Sequence, residues 1–215
     1  MADVNPWTPG DPVAAADATV ATIGPTCDAS DAQVRAALKS YWLNGSTMAV
    51  LDEVGLFRGQ SRVDLIVIGD RLEAYEIKSA ADSLSRLPMQ VQMYSRVFER
   101  VTLVCATCHV SRAMGIVPEW WGILEVTPSA SSPFFQRREG RNNPQIEPLA
   151  VAQLLWRGDA LDALFRRDRA AGVWNSTRAV IWRRLSQAVP PSELLAEARA
   201  FLRRRAGLLA ARPSR

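Results

Sequence analysis

Two neighbouring runs of apolar, β-branched residues constrain the fold of this chain more than any other feature. They span Arg62–Ile68 and Leu72–Lys78, with only three residues between them. Runs of this composition are typical of strands, and a short Gly-containing separation predicts a β-hairpin. The hairpin nevertheless carries Asp64, Glu76 and Lys78. Charged groups on a buried sheet are costly unless they are paired or bind a metal, so these three indicate a polar site.

The length of the turn decides whether the two acids can meet. With a two-residue loop, Asp64 would lie opposite Tyr75 and Glu76 would point to the other face of the sheet. With a three-residue loop, Ile68 pairs with Leu72. Asp64 then lies opposite Glu76, with facing Cβ atoms roughly 4.5–5.5 Å apart. Two carboxylates at this short separation would share a proton unless a divalent cation lay between them. A metal site therefore requires the three-residue loop.

The order of elements along the chain predicts an α/β fold with a central mixed sheet flanked by helices. A helix capped by Ser30 or Asp31 precedes the hairpin, and a second helix follows it, with a kink or a start at Pro88. Further strands are predicted around 48–54, 101–105 and 121–126. Apolar residues at helical spacing predict a C-terminal helical extension with segments at 148–157, 159–170, 176–188 and 191–208.

The 215 residues can form one main domain. We predict a flexible lead-in over residues 1–29, a core over 30–130, a basic linker over 131–147 and the helical extension over 148–215. With 48% hydrophobic and 22% charged residues, the composition is that of a globular protein. No apolar run approaches the roughly 20 residues that span a bilayer, and the opening residues lack an export signal. We therefore expect a cytoplasmic protein without membrane association.

Charge and cysteine content leave two questions open. The net charge of +4 is concentrated in C-terminal arginines, which could contact a phosphate backbone or form solvated helix faces. The three cysteines are an odd set inside apolar surroundings, so buried free thiols are expected rather than disulfides or a zinc site. His109 is the single histidine, and a structural role is expected for it.

Asp64 followed by Glu76-Ile77-Lys78 resembles the D…E-X-K signature of the PD-(D/E)XK superfamily, the restriction-endonuclease-like nucleases. The run Gln90-Val-Gln-Met-Tyr94 is similar to the Q-x-x-x-Y element of the RecB and lambda-exonuclease branches. A small family of bacterial proteins assigned as nucleases is similar over about residues 50–125. Val63 stands where the superfamily's name has proline.

The resemblance implies a restriction-endonuclease-like core and hydrolysis of phosphodiester bonds, with DNA as the expected substrate. It implies catalytic roles for Asp64, Glu76, Lys78, Gln90 and Tyr94. Mg²⁺ or Mn²⁺ would be held by Asp64, Glu76, the Ile77 carbonyl and Glu53, which agrees with the preference of these ions for oxygen ligands. Contacts to nucleic acid are expected from Arg62, Arg86, Arg137 and Arg138.

Several alternatives remain open from the sequence. Glu76 and Lys78 could be a structural ion pair, Glu53 a surface acid, and Gln90 and Tyr94 part of the core. The chain could also be a nuclease-fold module that binds nucleic acid or assembles with other proteins without turnover. Pairing into a homodimer or with a partner protein is a further expectation, since nucleases of this superfamily often pair to cut two strands.

Overall fold

A computed structural model describes residues 29–44, 47–127 and 134–211. In this part of the chain six strands form one sheet in the order β1-β2-β3-β4-β5-β6. Strands β1 to β3 are antiparallel, β4 and β5 continue parallel to β3, and β6 returns antiparallel to β5. The strands are β1 (Ala49–Leu56), β2 (Ser61–Ile68), β3 (Leu72–Lys78), β4 (Arg100–Ala106), β5 (Gly122–Val126) and β6 (Phe134–Arg138).

Helices lie on both faces of this mixed sheet, which confirms the predicted α/β class. The helices are α1 (Asp31–Leu43), α2 (Leu87–Tyr94), α3 (Thr107–Met114), α4 (Pro148–Ala152), α5 (Arg157–Phe165), α6 (Arg178–Ala188) and α7 (Pro191–Ala210). Ser30 caps α1 in a capping box with Gln33, as its position in the sequence predicted. Pro88 lies in the first turn of α2, so it marks a helix start rather than a kink.

The hairpin between β2 and β3 has the register that the site requires. Ile68 pairs with Leu72 and Leu65 pairs with Tyr75, which confirms the three-residue loop. Arg203 on α7 holds this turn, because its guanidinium donates a hydrogen bond to the Gly69 carbonyl at 2.8 Å. The loop that aligns the two acids is therefore tied to the C-terminal helix.

Two apolar clusters fill the two sides of the sheet. On one side α1 packs through Val34 and Leu38 against alternate residues of the central strands, including Leu65, Tyr75 and Val104. On the other side α2 and α4 to α7 share a single larger cluster with the remaining strand residues. The helical extension predicted for residues 148–215 thus packs on the same core as the sheet, through its described part up to residue 211.

The region predicted as a basic linker contains a strand. Residues 134–138 form β6, the edge strand, whose Phe134 is buried on the α1 side of the sheet. Turn-forming residues on both sides concealed this short segment in the sequence. Residues 1–28 of the predicted lead-in lie outside the described residues. Among the described helices, none combines the length and apolar character needed to cross a bilayer.

The two described cysteines differ from each other. Cys105 is a buried free thiol, as expected, and burial together with Glu125 raises its pKa to about 12. Cys108 is exposed at the start of α3, which corrects the expectation of a buried thiol. His109 lies on the same helix with its Nε2 3.0 Å from the Ser79 carbonyl oxygen. This contact with the segment after β3 agrees with a structural role.

Candidate functional site

A cavity of about 470 Å³ lies beside the point where β2 and β3 separate. The residues lining it come from α1, from β1 and the turn that follows it, from the two hairpin strands, and from the segment that runs from β3 into α2. Eight of them were singled out in the sequence: Glu53, Arg62, Asp64, Glu76, Ile77, Lys78, Arg86 and Gln90. The fold therefore brings most of the predicted site residues to one cavity.

The separation of the two strands is what opens this cavity. The pairing of β2 with β3 ends at Leu65 and Tyr75, whereas β2 continues to pair with β1 as far as Ser61. Side chains satisfy backbone groups beyond this point. Asp64 Oδ2 accepts a hydrogen bond from the Ile77 N–H at 2.8 Å, and the Tyr94 hydroxyl lies 2.7 Å from the Arg62 carbonyl oxygen. Asp64 is thereby held across the opening, next to Glu76.

A backbone irregularity accompanies this separation. Strict alternation would place residues three apart on opposite faces of a strand, yet two such pairs are buried in the same cluster. The pairs are Leu51 with Val54 in β1 and Val63 with Ile66 in β2. Between them lie Glu53, with a φ of 53°, and Asp64, which the β1–β2 register sets opposite each other. The alternation of both strands thus slips by one residue at these two acids.

Glu76 is the centre of a buried hydrogen-bond network. Only 1% of its surface is exposed, and its Oε1 accepts from Lys78 Nζ and from Gln90 Nε2, each at 2.5 Å. Its Oε2 lies 2.7 Å from the Tyr94 hydroxyl. Burial and the neighbouring carboxylate raise the pKa of Tyr94 above its ordinary value, which keeps the phenol a hydrogen-bond donor. Gln90 and Tyr94, one helical turn apart, therefore both fix Glu76 from α2.

The electrostatics of Asp64 differ from those of an exposed acid. Burial and, next in size, the charge of Glu76 raise the pKa of Asp64 to about 7, against the opposing effect of the Ile77 N–H. A carboxylate that loses hydration beside a second acid is stabilised by any cation that reaches both. A positive charge at this position would therefore stabilise the ionised form of Asp64.

Arginines surround the acids at the rim of the cavity. Arg62 and Arg86, two of the arginines expected to contact nucleic acid, are exposed there. Glu53 Oε1 accepts from Arg35 Nη1 at 3.1 Å and lies 3.8 Å from Arg62 Nη2. Arg35 also pairs with Asp31 one turn earlier on α1. The rim thus carries guanidinium groups suited to phosphate oxygens.

Two predicted contacts to nucleic acid lie away from this cavity. Arg137 pairs with the buried Glu125, and its guanidinium stacks over Phe135 at 4.6 Å from the ring centroid. Arg138 donates hydrogen bonds to the carbonyls of Trp121 and Pro118 at 2.7 and 3.0 Å. Arg137 thus joins β6 to β5, and Arg138 joins β6 to the segment before β5. The structure does not bring these two arginines to the other site residues.

The oxygen atoms of the site define what it could hold. Within the described residues there is no group of three or more His, Cys, Asp or Glu side chains suited to a metal ion. Glu76 Oε2 and Asp64 Oδ2 each accept one hydrogen bond, which leaves each oxygen a further lone pair. Two carboxylates and the adjacent Ile77 main chain fit a hard cation that keeps several waters, as Mg²⁺ does. They do not fit a closed structural zinc site.

A family model described as bacteriophage P4 protein cII matches residues 31–208, which include the whole cavity described above. This chain belongs to the bacteriophage P4 protein cII family. Protein cII of Enterobacteria phage P4 is 30% identical to this cII-family chain over 120 residues. The match covers 55% of the chain but 46% of the phage protein, so the chain spans about half the length of this relative.

A solved structure also resembles the cII-family chain. It is a protein of unknown function from Silicibacter pomeroyi, with 16% sequence identity and a TM-score of 0.36. The match covers 59% of this chain and 85% of that protein.

Sequence reasoning missed one site residue in this cII-family protein. Arg35 lines the cavity from α1, and its Nε is buried without a partner among the described residues. The available signal was the pair Asp31 and Arg35 at i, i+4 spacing, which marks one polar edge of an otherwise packed helix.

Proposed function

We propose that this cII-family protein is a metal-dependent nuclease with a restriction-endonuclease-like core that hydrolyses phosphodiester bonds in DNA. One observation carries the proposal. Asp64 and Glu76 lie side by side where β2 and β3 separate, and Lys78 donates to Glu76 from the same face of β3. The spacing of these residues is that of the D…E-X-K signature. A mixed sheet with helices on both faces agrees with this core.

Asp64, Glu76 and the Ile77 carbonyl would hold Mg²⁺ or Mn²⁺, and Glu53 lies at the rim as a further oxygen donor. Such an ion, when bound, supplies a Lewis acid for the scissile phosphate. The elevated pKa of Asp64 supports this assignment, because burial and, next in size, the charge of Glu76 disfavour its ionised form, which a bound cation would stabilise. The donor set is made of oxygen atoms, which Mg²⁺ and Mn²⁺ prefer.

The other side chains have roles that follow from their contacts. Lys78 has three N–H donors and uses one of them on Glu76, so it can stabilise negative charge on a phosphate oxygen. The Gln90 side-chain carbonyl oxygen is buried and has no hydrogen-bond partner among the described residues. It can therefore accept a hydrogen bond from an attacking water. Tyr94 keeps the Glu76 carboxylate oriented. Arg35, together with the exposed rim arginines, would position the phosphate backbone.

A cleavage assay tests the proposal. Labelled single- and double-stranded DNA is incubated with the full chain in Mg²⁺, in Mn²⁺ and in EDTA, with RNA in parallel. Cleavage is expected only with metal. Glu76→Gln and Lys78→Met are each expected to reduce the rate roughly 10²–10³-fold, the cost of removing one group that stabilises transition-state charge.

Glu73→Gln is the matched control. It makes the same chemical change on the same strand, but Glu73 faces the other side of the sheet and its carboxylate contacts Tyr75. It should leave the rate within about twofold, the size of an ordinary surface effect. Circular dichroism at the assay temperature shows whether each variant is folded. No cleavage of any substrate by the wild type in either metal would overturn the proposal.

A second candidate is a nuclease-fold module that binds nucleic acid or assembles with a partner without turnover. It is favoured by the enclosure of Glu76, whose two oxygens already receive hydrogen bonds from Lys78, Gln90 and Tyr94. In that case DNA binding should depend on salt, be independent of metal and be unchanged by Glu76→Gln.

A further inference from the structure

A second concave surface lies next to the site cavity, with a volume of about 420 Å³. We call it the basic-aromatic groove. It is lined by four arginines, Arg58, Arg157, Arg178 and Arg205, by apolar side chains and by the ring of Trp156. No described Asp or Glu lines it. A concave surface with this balance of charge is complementary to an anion that also has apolar or aromatic parts.

The groove arginines differ from several other arginines of the C-terminal region. Arg166, Arg167 and Arg204 of the C-terminal region pair with acidic side chains. None of the four groove arginines forms a salt bridge within the described residues. Arg205 instead lies 6.0 Å from the Trp156 ring centroid, and Arg178 lies 5.8 Å from that of Trp182. Arg157 donates hydrogen bonds to the carbonyls of Trp174 and Ser176, which accept without neutralising its charge. The positive charge of the groove therefore remains available to a ligand, chiefly through Arg58, Arg178 and Arg205.

Trp156 supplies a flat apolar surface in this basic setting. The residue is 58% exposed at the N-cap position of α5. An edge-to-face contact with Phe201, at 5.3 Å between ring centroids, holds the ring in place. Exposed aromatic rings next to arginines are the means by which proteins stack single-stranded bases while contacting the backbone. A duplex offers no unstacked bases to such a ring.

The turn between β1 and β2 separates the groove from the site cavity. Phe57 and Arg58 line the groove, whereas Gly59 and Gln60 line the cavity. The three residues 57–59 all have left-handed φ angles, of 48°, 60° and 89°. Non-glycine residues in this conformation are strained and are found preferentially at ligand-binding sites. This strained turn sets Arg58 between the two concave surfaces.

We infer that the basic-aromatic groove binds a single strand of nucleic acid and directs it past the β1–β2 turn to the site cavity. The second half of this inference rests on the proposed nuclease function. Binding itself does not, because the groove contains no residue of the Asp64, Glu76 and Lys78 set. The ligand class is thus a single strand with at least one unstacked base on Trp156 and its phosphates on the arginines.

Fluorescence anisotropy with a short labelled oligothymidylate, in EDTA and over a range of salt concentrations, tests the inference on the full chain. Trp156→Ala is expected to weaken binding roughly 5- to 100-fold, the loss found on removing one base-stacking ring. Trp156→Phe should restore most of it. Arg178→Ala should lower the slope of log K against log salt by about 0.7, the value for one phosphate contact to a single strand.

Arg184→Ala is the matched control, since Arg184 is exposed on the same helix as Arg178 but does not line the groove. It should bind like the wild type. Arg205→Ala replaces Arg178→Ala if thermal melting shows that the latter is unfolded. Groove variants that bind like the wild type, or a duplex that binds more tightly than the single strand, would overturn the inference.

The two proposals can fail separately. If the oligonucleotide binds in EDTA and the groove variants weaken it, but no metal produces cleavage, the groove stands and the nuclease proposal fails. If metal-dependent cleavage occurs and the groove variants neither bind nor cut differently from the wild type, the nuclease proposal stands and the groove inference fails.

Discussion

Replacing Asp64 with Asn is expected to make the metal-free protein more stable, although it removes a proposed ligand. The Asp64 side chain is partly buried beside Glu76, and this burial, followed by the charge of Glu76, raises its pKa from 3.8 to about 7. The folded state therefore holds a proton that the unfolded chain releases at lower pH. Asn carries no charge, and its side-chain oxygen can still accept the Ile77 N–H. The substitution removes the cost of ionising the acid in place.

The size of the effect follows from proton linkage. A shift from 3.8 to about 7 is about three pH units, and each unit is worth about 1.36 kcal/mol. Because the folded pKa is raised, the wild type loses stability as the pH rises from 3.8 to about 7, and the loss is complete above that. Asp64→Asn should therefore raise the free energy of unfolding by about 4 kcal/mol at pH 8 and by less than about 1 kcal/mol near pH 4.

Urea unfolding in EDTA at these two pH values measures the difference. Asp52→Asn is a control of opposite sign. Burial alone would raise the pKa of Asp52, but its hydrogen bond and ion pair with Lys39 outweigh this and lower it. The contribution of Asp52 to stability is present above its unfolded pKa and is lost as the pH falls through its folded pKa. Asp52→Asn should therefore destabilise the protein at pH 8 and have little effect at low pH.

Metal addition completes the test. Mg²⁺ or Mn²⁺ should raise the melting temperature of the wild type, because a ligand that binds only the folded state stabilises it, and should leave that of Asp64→Asn unchanged. An Asn variant that is less stable than the wild type in EDTA at pH 8 would refute the reasoning. So would a gain in stability that does not change with pH.

Five other substitutions, alone or combined, test the packing around the site and the sheet. Lys78→Met should cost about 3 kcal/mol in urea unfolding because it leaves a buried carboxylate, and adding Glu76→Gln should recover most of this loss, which a double-mutant cycle measures. Tyr94→Phe should lower the free energy of unfolding by about 1–3 kcal/mol, because the single hydroxyl hydrogen, which lies within reach of the Glu76 carboxylate and of the Arg62 carbonyl, is lost and a buried acceptor is left unpaired. An unchanged melting curve would contradict the network. Gly122→Ala should lower the free energy of unfolding by about 1–3 kcal/mol, because its Cβ would lie 2.8 Å from the Thr102 hydroxyl oxygen. Gly158→Ala has nothing within 4 Å of its Cβ, so it should stabilise α5 by about 0.5–1 kcal/mol. Equal effects of the two alanines in thermal melts would count against this packing.

The hairpin and its polar residues could be predicted because their signals are local. β-branched runs around a short turn specified β2 and β3, and the demand that two acids share one site selected the register that pairs Ile68 with Leu72. The placement of Gln90 and Tyr94 on one face of α2 followed from helical spacing. Their bonds to Glu76 followed from the fold, which packs α2 against that face of the sheet.

Features that depend on distant contacts could not be predicted in the same way. The left-handed conformation of Glu53 and the slip in alternation beside it have no sequence signature, because neither residue type nor spacing indicates them. Arg137 was assigned to nucleic acid from its basic neighbours, but its partner Glu125 lies on another strand. Arg35 was overlooked because the cavity is formed only when α1 meets the hairpin.

The hydrogen bond from Arg203 to the Gly69 carbonyl joins two segments 134 residues apart in the chain. The hairpin is synthesised well before the side chain that secures its turn. A nascent or truncated chain that ends before Arg203 would contain every proposed catalytic residue and still lack this restraint on their alignment. The alignment of the proposed site is thereby secured only after α7 has been synthesised, and fragments that stop at the sheet are unsuitable as minimal versions of the protein.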